Sequence, residues 1–118
     1  MLGLNKFQHI DFIRSKERTM SAIGAVKIKN QLKKIFPNAD MSTIKNYRVN
    51  GVLDGASGFL VTDQGTVYIN TGIGYYLRIN MGYEVCYRTA KDTKDFTGGQ
   101  NNFCKLGDLA NNIQRMMS

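Results

Sequence analysis

The side chains of this chain that could do covalent chemistry do not fall at the spacings such chemistry uses. His9 is the only histidine. Setting it beside a cysteine or serine makes a formal nucleophile pair, but any chain with one histidine permits that. Asp54 or Asp63 with Glu84 could bind a nuclease metal. However, Glu84-Val85-Cys86 lacks the lysine two residues on that a common metal-dependent nuclease pattern needs. "NTGIGYY" contains a GxG, but a β-rich run follows it where a phosphate site requires a helix N-terminus, and "DGASG" has no lysine behind it. Cys86 and Cys104 belong to no CxxC pair, so a zinc site is not expected. No catalytic residue, metal or cofactor is assigned, and the expectation is a non-enzymatic protein.

Binding chemistry is better represented. Residues 75–88, "YYLRINMGYEVCYR", interleave four tyrosines with two arginines. Strand alternation places Tyr75, Leu77, Ile79 and Met81 on one side and Tyr76, Arg78 and Asn80 on the other. Tyr83, Val85 and Tyr87 likewise oppose Glu84, Cys86 and Arg88. Val67 and Ile69 oppose Tyr68 and Asn70, while Phe59 and Val61 oppose Leu60 and Thr62. The expectation is one core face and one open face carrying Arg48, Tyr68, Tyr76, Arg78 and Arg88. Rings and guanidinium planes on such a face can stack unstacked bases, each worth roughly 1–3 kcal/mol. Tyr, Thr and Arg are also ordinary residues of a solvated sheet face.

A second candidate is cationic. Arg14, Lys16, Arg18, Lys27, Lys29, Lys33 and Lys34 fall within residues 14–34 against the single acid Glu17. Lysines fringe the polar side of a helix here and do not form one row. They would contact phosphates without reading sequence. A third candidate is the polar stretch 91–102, "KDTKDFTGGQNN", where Lys91 and Lys94 alternate with Asp92 and Asp95. Phe96 is either an anchor or an exposed contact, and Gly98 and Gly99 allow unusual backbone angles. Its length and mixed charge suit a loop that meets a protein partner.

The elements that must position these residues follow from periodicity. Residues from about 5 to 36 read as helical. Phe7, Ile10 and Ile13 make a short stripe, and Ser15 or Thr19 is a cap for a second helix. Ala25, Ile28, Leu32, Ile35 and Phe36 form its apolar face. Ile23 and Val26 fall off that stripe around Gly24, which predicts a kink or a second contact surface, and Pro37 ends the helix. From about 43 the period becomes two. "GFLVTDQGTVYIN" reads as a hairpin turning at Asp63-Gln64-Gly65, with Gly65 at positive φ, and a second hairpin turns near Met81-Gly82. After the loop, "FCKLGDLANNIQRMM" predicts a short strand or turn. A helix follows, capped by Asp108, with Leu109, Ile113 and Met116 or Met117 buried.

The sequence thus predicts one α+β domain over residues 1–118. It has a basic helical segment at about 1–42, a β-meander at about 43–90, the loop 91–102 and a helix at about 107–117. Its four- to five-stranded antiparallel sheet carries both helical regions on one face. The totals agree: 42% hydrophobic and 21% charged residues are ordinary for a globular chain. No apolar run approaches the roughly 18 residues of a membrane span, and polar residues interrupt the N-terminus too often for a secretory signal. A cytoplasmic protein with free thiols is expected. Residues 1–48 carry ten basic and three acidic side chains, whereas residues 49–118 carry six of each, so the first stretch holds the whole net charge of +7. That asymmetry points to an anionic partner. The leading expectation is an accessory protein binding nucleic acid, RNA or DNA, or a ribonucleoprotein through its basic helical surface. The alternative is a protein-interaction module or inhibitor, such as a phage or mobile-element protein blocking a host or defence factor. It would act through the sheet edge or the 91–102 loop.

Overall fold

A computed structural model describes residues 22–72 and 82–118. Helix α1 (Ala25–Lys33) is followed by five strands: β1 (Lys45–Val49), β2 (Val52–Thr62), β3 (Gly65–Asn70), β4 (Val85–Ala90) and β5 (Asn102–Cys104). A 3-10 turn (Leu106–Asp108) leads into helix α2 (Leu109–Met117). The sheet is antiparallel throughout and its spatial order is the chain order, β1 to β5. This is the expected α+β meander, with five strands.

Two-residue turns make the first two hairpins. Asn50 and Gly51 close β1–β2 at φ 52° and 79°, the left-handed pair that suits a type I′ turn. Asp63 and Gln64 close β2–β3, with Gly65 at φ 150°. The strand expected at 75–80 lies outside the described residues. β4 nevertheless pairs directly with β3, from Thr66↔Ala90 to Asn70↔Cys86, and takes β5 on its other side. The expected hairpin of 75–80 with 83–90 likewise falls on residues outside the described ones.

Alternation divides the sheet cleanly. Ala56, Leu60, Val67, Ile69, Val85, Tyr87 and Cys104 join Ala25, Ile28 and Leu32 of α1 and Leu109 and Ile113 of α2 in one core. Met41 and Ile44 complete it, and the two helices touch each other as well as the sheet. Each buried branched side chain in such a core contributes about 1.5–3 kcal/mol. The predicted stripes on both helices are the ones that are buried.

Several boundaries differ from the sequence reading, each for a local reason. The helix expected to run toward Phe36, with a kink or second contact surface around Gly24, spans Ala25–Lys33 among the described residues, and Gly24 precedes it in extended conformation. Two bonds to the sheet hold the chain there. The Thr71 hydroxyl donates to Ile23 O at 2.7 Å, and Asn46 Oδ1 accepts the Ala25 N–H at 2.7 Å. Asn46 of β1 therefore caps α1 from outside the helix. Ile23 is buried before the helix starts, and Val26 is exposed on its first turn. The loop 91–102 shortens to 91–101, because Asn102 already pairs with Tyr87. Asp108 stands at the N-cap of α2, but its side chain makes no cap bond, the preceding 3-10 turn leading into the helix instead.

β2 carries a close backbone approach. Residues 40–44 run beside it, with Asp40 and Val61 exchanging backbone bonds of 2.9 and 3.0 Å. A Cβ on Gly58 would lie 2.5 Å from both Ile44 Cα and Thr43 O. Backbone atoms cannot yield as a flexible side chain does, so Gly58→Ala should cost about 3 kcal/mol, the upper end of ordinary substitutions. Denaturant unfolding checks this, with a lowered midpoint expected at unchanged slope.

Candidate functional site

The structure separates the predicted binding residues into two groups on opposite sides of the sheet. The first is helical. Lys27, Lys33 and Lys34 are exposed and Lys29 half-buried, and no acid lies among them on α1. Lys33 also sits at the negative end of the helix dipole, where a cation is favoured. Arg48 belongs to this side, although alternation was expected to place it with Tyr68. Asn46 and Arg48 share one face of β1, and Asn46 reaches over to cap α1. Tyr47 points the other way, donating from its hydroxyl to Asn70 Oδ1 at 3.0 Å. The phase of β1 is hidden from the sequence by a bulge, because the pairs Tyr47↔Gly55 and Arg48↔Leu53 leave one extra residue on β2.

The second group lies on the face away from the helices, and it is not an open platform. Phe59, Tyr68 and Arg88 stand side by side across β2, β3 and β4. Their exposures are only 2%, 7% and 3%. The rings of Phe59 and Tyr68 are 5.2 Å apart, and the Arg88 guanidinium carbon lies 4.8 Å from the Tyr68 centroid. This geometry gives a cation–π contact strengthened by desolvation. Tyr68 also accepts from Asn70 Nδ2 at 2.9 Å, which joins it to the Tyr47–Asn70 bond.

The segment 91–101 covers this cluster. Arg88 Nη2 donates to Asp95 O at 2.6 Å and Nη1 to Thr89 O at 3.1 Å, with the Asp95 carboxylate 3.8 Å from Nη1. Phe96 sets its ring edge-on against Phe59 at 5.3 Å and Tyr68 at 6.1 Å. Asp95 also organises the segment from within. Its carboxylate accepts the N–H groups of Lys91, Gly98 and Thr97 at 2.9, 3.0 and 3.4 Å. Lys91 and Lys94 are exposed to solvent, and Gly98 and Gly99 follow the bracing carboxylate. Arg14, Lys16, Arg18, Tyr76 and Arg78 lie outside the described residues.

Sequence reasoning missed Asp95 as the partner of Arg88 and Phe59 as the neighbour of Tyr68. The Asp-x-x-Gly spacing of Asp95 and Gly98 was the available signal for an inward-turned, turn-forming carboxylate. The thiols are also accounted for. Cys86 and Cys104 are free and lie on opposite faces, because Cys104 pairs with Val85 and Cys86 with Phe103. Burial pushes both thiols up to about 11, so neither offers a thiolate nucleophile at neutral pH. Among the described residues, no three of His, Cys, Asp and Glu converge as a metal site, and no helix is long and apolar enough to cross a membrane. Comparison with protein-family models, with curated proteins and with solved structures finds no match to this chain.

Hydrogen bonds from Lys91, Gly98 and Thr97, together with the Arg88 charge, hold the Asp95 carboxyl below the ordinary value of 3.8, with partial desolvation opposing them. A depressed folded value means that the stabilisation is complete above the ordinary carboxylate range. It is lost as pH falls through the folded value. The melting-temperature gap between wild type and Asp95→Asn should therefore be constant well above pH 3.8 and close below it. A gap that persists on acidification would show that the carboxylate charge is not what braces the segment.

Proposed function

We propose that this protein binds the phosphate backbone of a nucleic acid, free or within a ribonucleoprotein, through α1. Lys27, Lys29, Lys33 and Lys34 supply the cations, and Arg48 extends them along the β1 edge. The observation that carries this reading is the concentration of three lysines on α1 and a fourth, Lys34, at its C-cap, without one acid, on a helix whose other face is committed to the core. The helix is about 13 Å long. Lys27 and Lys34 are separated by about two turns, a reach that can follow several phosphates of one strand. Such contacts fix position and contribute affinity, and they carry no base sequence. The reading needs no catalysis.

The role first expected of Tyr68 and Arg88 changes under this proposal. Both are buried beneath 91–101, so they contribute nothing to phosphate binding while that segment is closed. Backbone binding by α1 alone is therefore expected to be insensitive to strand type.

Replacing Lys27, Lys29, Lys33 and Lys34 with Glu should abolish binding to duplex and single-stranded probes alike. The fold should be retained, because Lys27, Lys33 and Lys34 are exposed and Lys29 is only half-buried. Single Lys→Ala replacements should each lower the slope of log K against log salt by about 0.9 on duplex DNA, one phosphate at a time. Anisotropy titrations at several salt concentrations measure both quantities. Unchanged affinity in a variant with native circular dichroism would contradict the proposal.

A further inference from the structure

The cover over Phe59, Tyr68 and Arg88 has an unusual composition. Two consecutive residues of segment 91–101, which acts as a strap, make the contacts, and they make them differently. Asp95 brings its carbonyl to one guanidinium nitrogen at 2.6 Å and its carboxylate to within 3.8 Å of another. Phe96 brings a flat ring to within 5.3 and 6.1 Å of two aromatic centroids. An acceptor oxygen on a guanidinium with a carboxylate nearby, and a planar ring against aromatic side chains, are the kinds of partner that hold one nucleotide of a single strand, with the ring here set edge-on at 68° and 79° where a base would stack.

We propose that Asp95-Phe96 is an internal stand-in for a nucleotide. Lifting the strap would open a site where Phe59 and Tyr68 take one unstacked base and Arg88 takes its phosphate, from a single-stranded nucleic acid.

The strap is built to be displaced. Phe96 is 61% exposed while Phe59, directly beneath it, is 2% exposed. A permanent plug would bury its ring, whereas this one already stands largely in water, and lifting it exposes new apolar area chiefly on Phe59 and Tyr68, the rings a base would cover again. The rest of the segment is charged or polar and mostly exposed. It ends at Gly98 and Gly99, the latter at φ 77°, where the chain can re-route without a side-chain penalty. The floor, by contrast, is fixed in the three central strands, so the site is preformed once uncovered. It shares only its class of ligand with the phosphate-binding reading, and it lies on the opposite face of the sheet from α1.

The test uses the full chain carrying Asp95→Ala with Phe96→Ala, and separately Phe96→Ser alone, which removes the ring contacts to Phe59 and Tyr68 and leaves the Asp95 bonds in place. The probe is a labelled oligothymidylate of about eight nucleotides. Salt of about 0.3 M suppresses the lysine contacts. The strap variants should bind about tenfold more tightly than wild type, and adding Tyr68→Leu should remove the gain. The gain should survive Lys→Glu replacement on α1, so its absence and the failure of the phosphate reading are told apart. No gain in either strap variant, with native circular dichroism confirmed for Phe96→Ser, would overturn the proposal. So would an equal gain for duplex of the same length, since a paired base cannot enter.

Discussion

The constraint on which this structure depends is that its central strands bury side chains on both faces. In β3, Val67, Tyr68, Ile69 and Asn70 are buried in succession, and in β4 Val85 through Arg88 are as well. Because successive side chains point to opposite sides, each face needs its own cover. Val67, Ile69, Val85 and Tyr87 face the helices, where apolar packing suffices. Tyr68, Asn70, Cys86 and Arg88 face away, and burial there costs free energy unless polar groups are partnered. The strap supplies those partners to Arg88. The cation therefore ties 91–101 to the sheet at Asp95, since a buried guanidinium left unpartnered is costly.

The same constraint explains how charge is divided. Helix α1 commits Ala25, Ile28 and Leu32 to the core, and its remaining surface carries lysines among Val26, Asn30 and Gln31, with no acid. The strap commits Asp95 inward and leaves Lys91, Asp92 and Lys94 outward with mixed sign. Helix α1 consequently presents cations and no acid. The strap presents a surface of mixed sign over Arg88, which it already engages. The two candidate surfaces are distinct in mechanism as well as in place.

Much of this architecture is legible in the sequence. The stripe Ala25, Ile28, Leu32 gives α1, and the run from Gly58 to Asn70 with its Asp63-Gln64 turn gives β2–β3. The Asn50-Gly51 turn is not among the turns placed from the sequence, although the pair itself is a hairpin signal. Less legible is the phase of β1, which depends on a bulge that no local pattern announces. The helix start at Ala25 is another such case, because its cap comes from Asn46, twenty-one residues away. Arg88 is the clearest: arginine is mostly exposed, and alternation reports only which face a residue takes. What covers that face depends on Asp95 turning inward from a segment whose composition reads as solvated.

Amide hydrogen exchange along a denaturant series tests the central claim most directly, namely that the strap is a separable cover on a preformed sheet face. The amides of Thr97 and Gly98, held by Asp95, should exchange through a local opening that denaturant hardly changes. Those of Val67 to Asn70 should exchange only with global unfolding. If strap and β3 amides shared one opening free energy and one denaturant dependence, the strap would be an inseparable part of the core, contradicting the account.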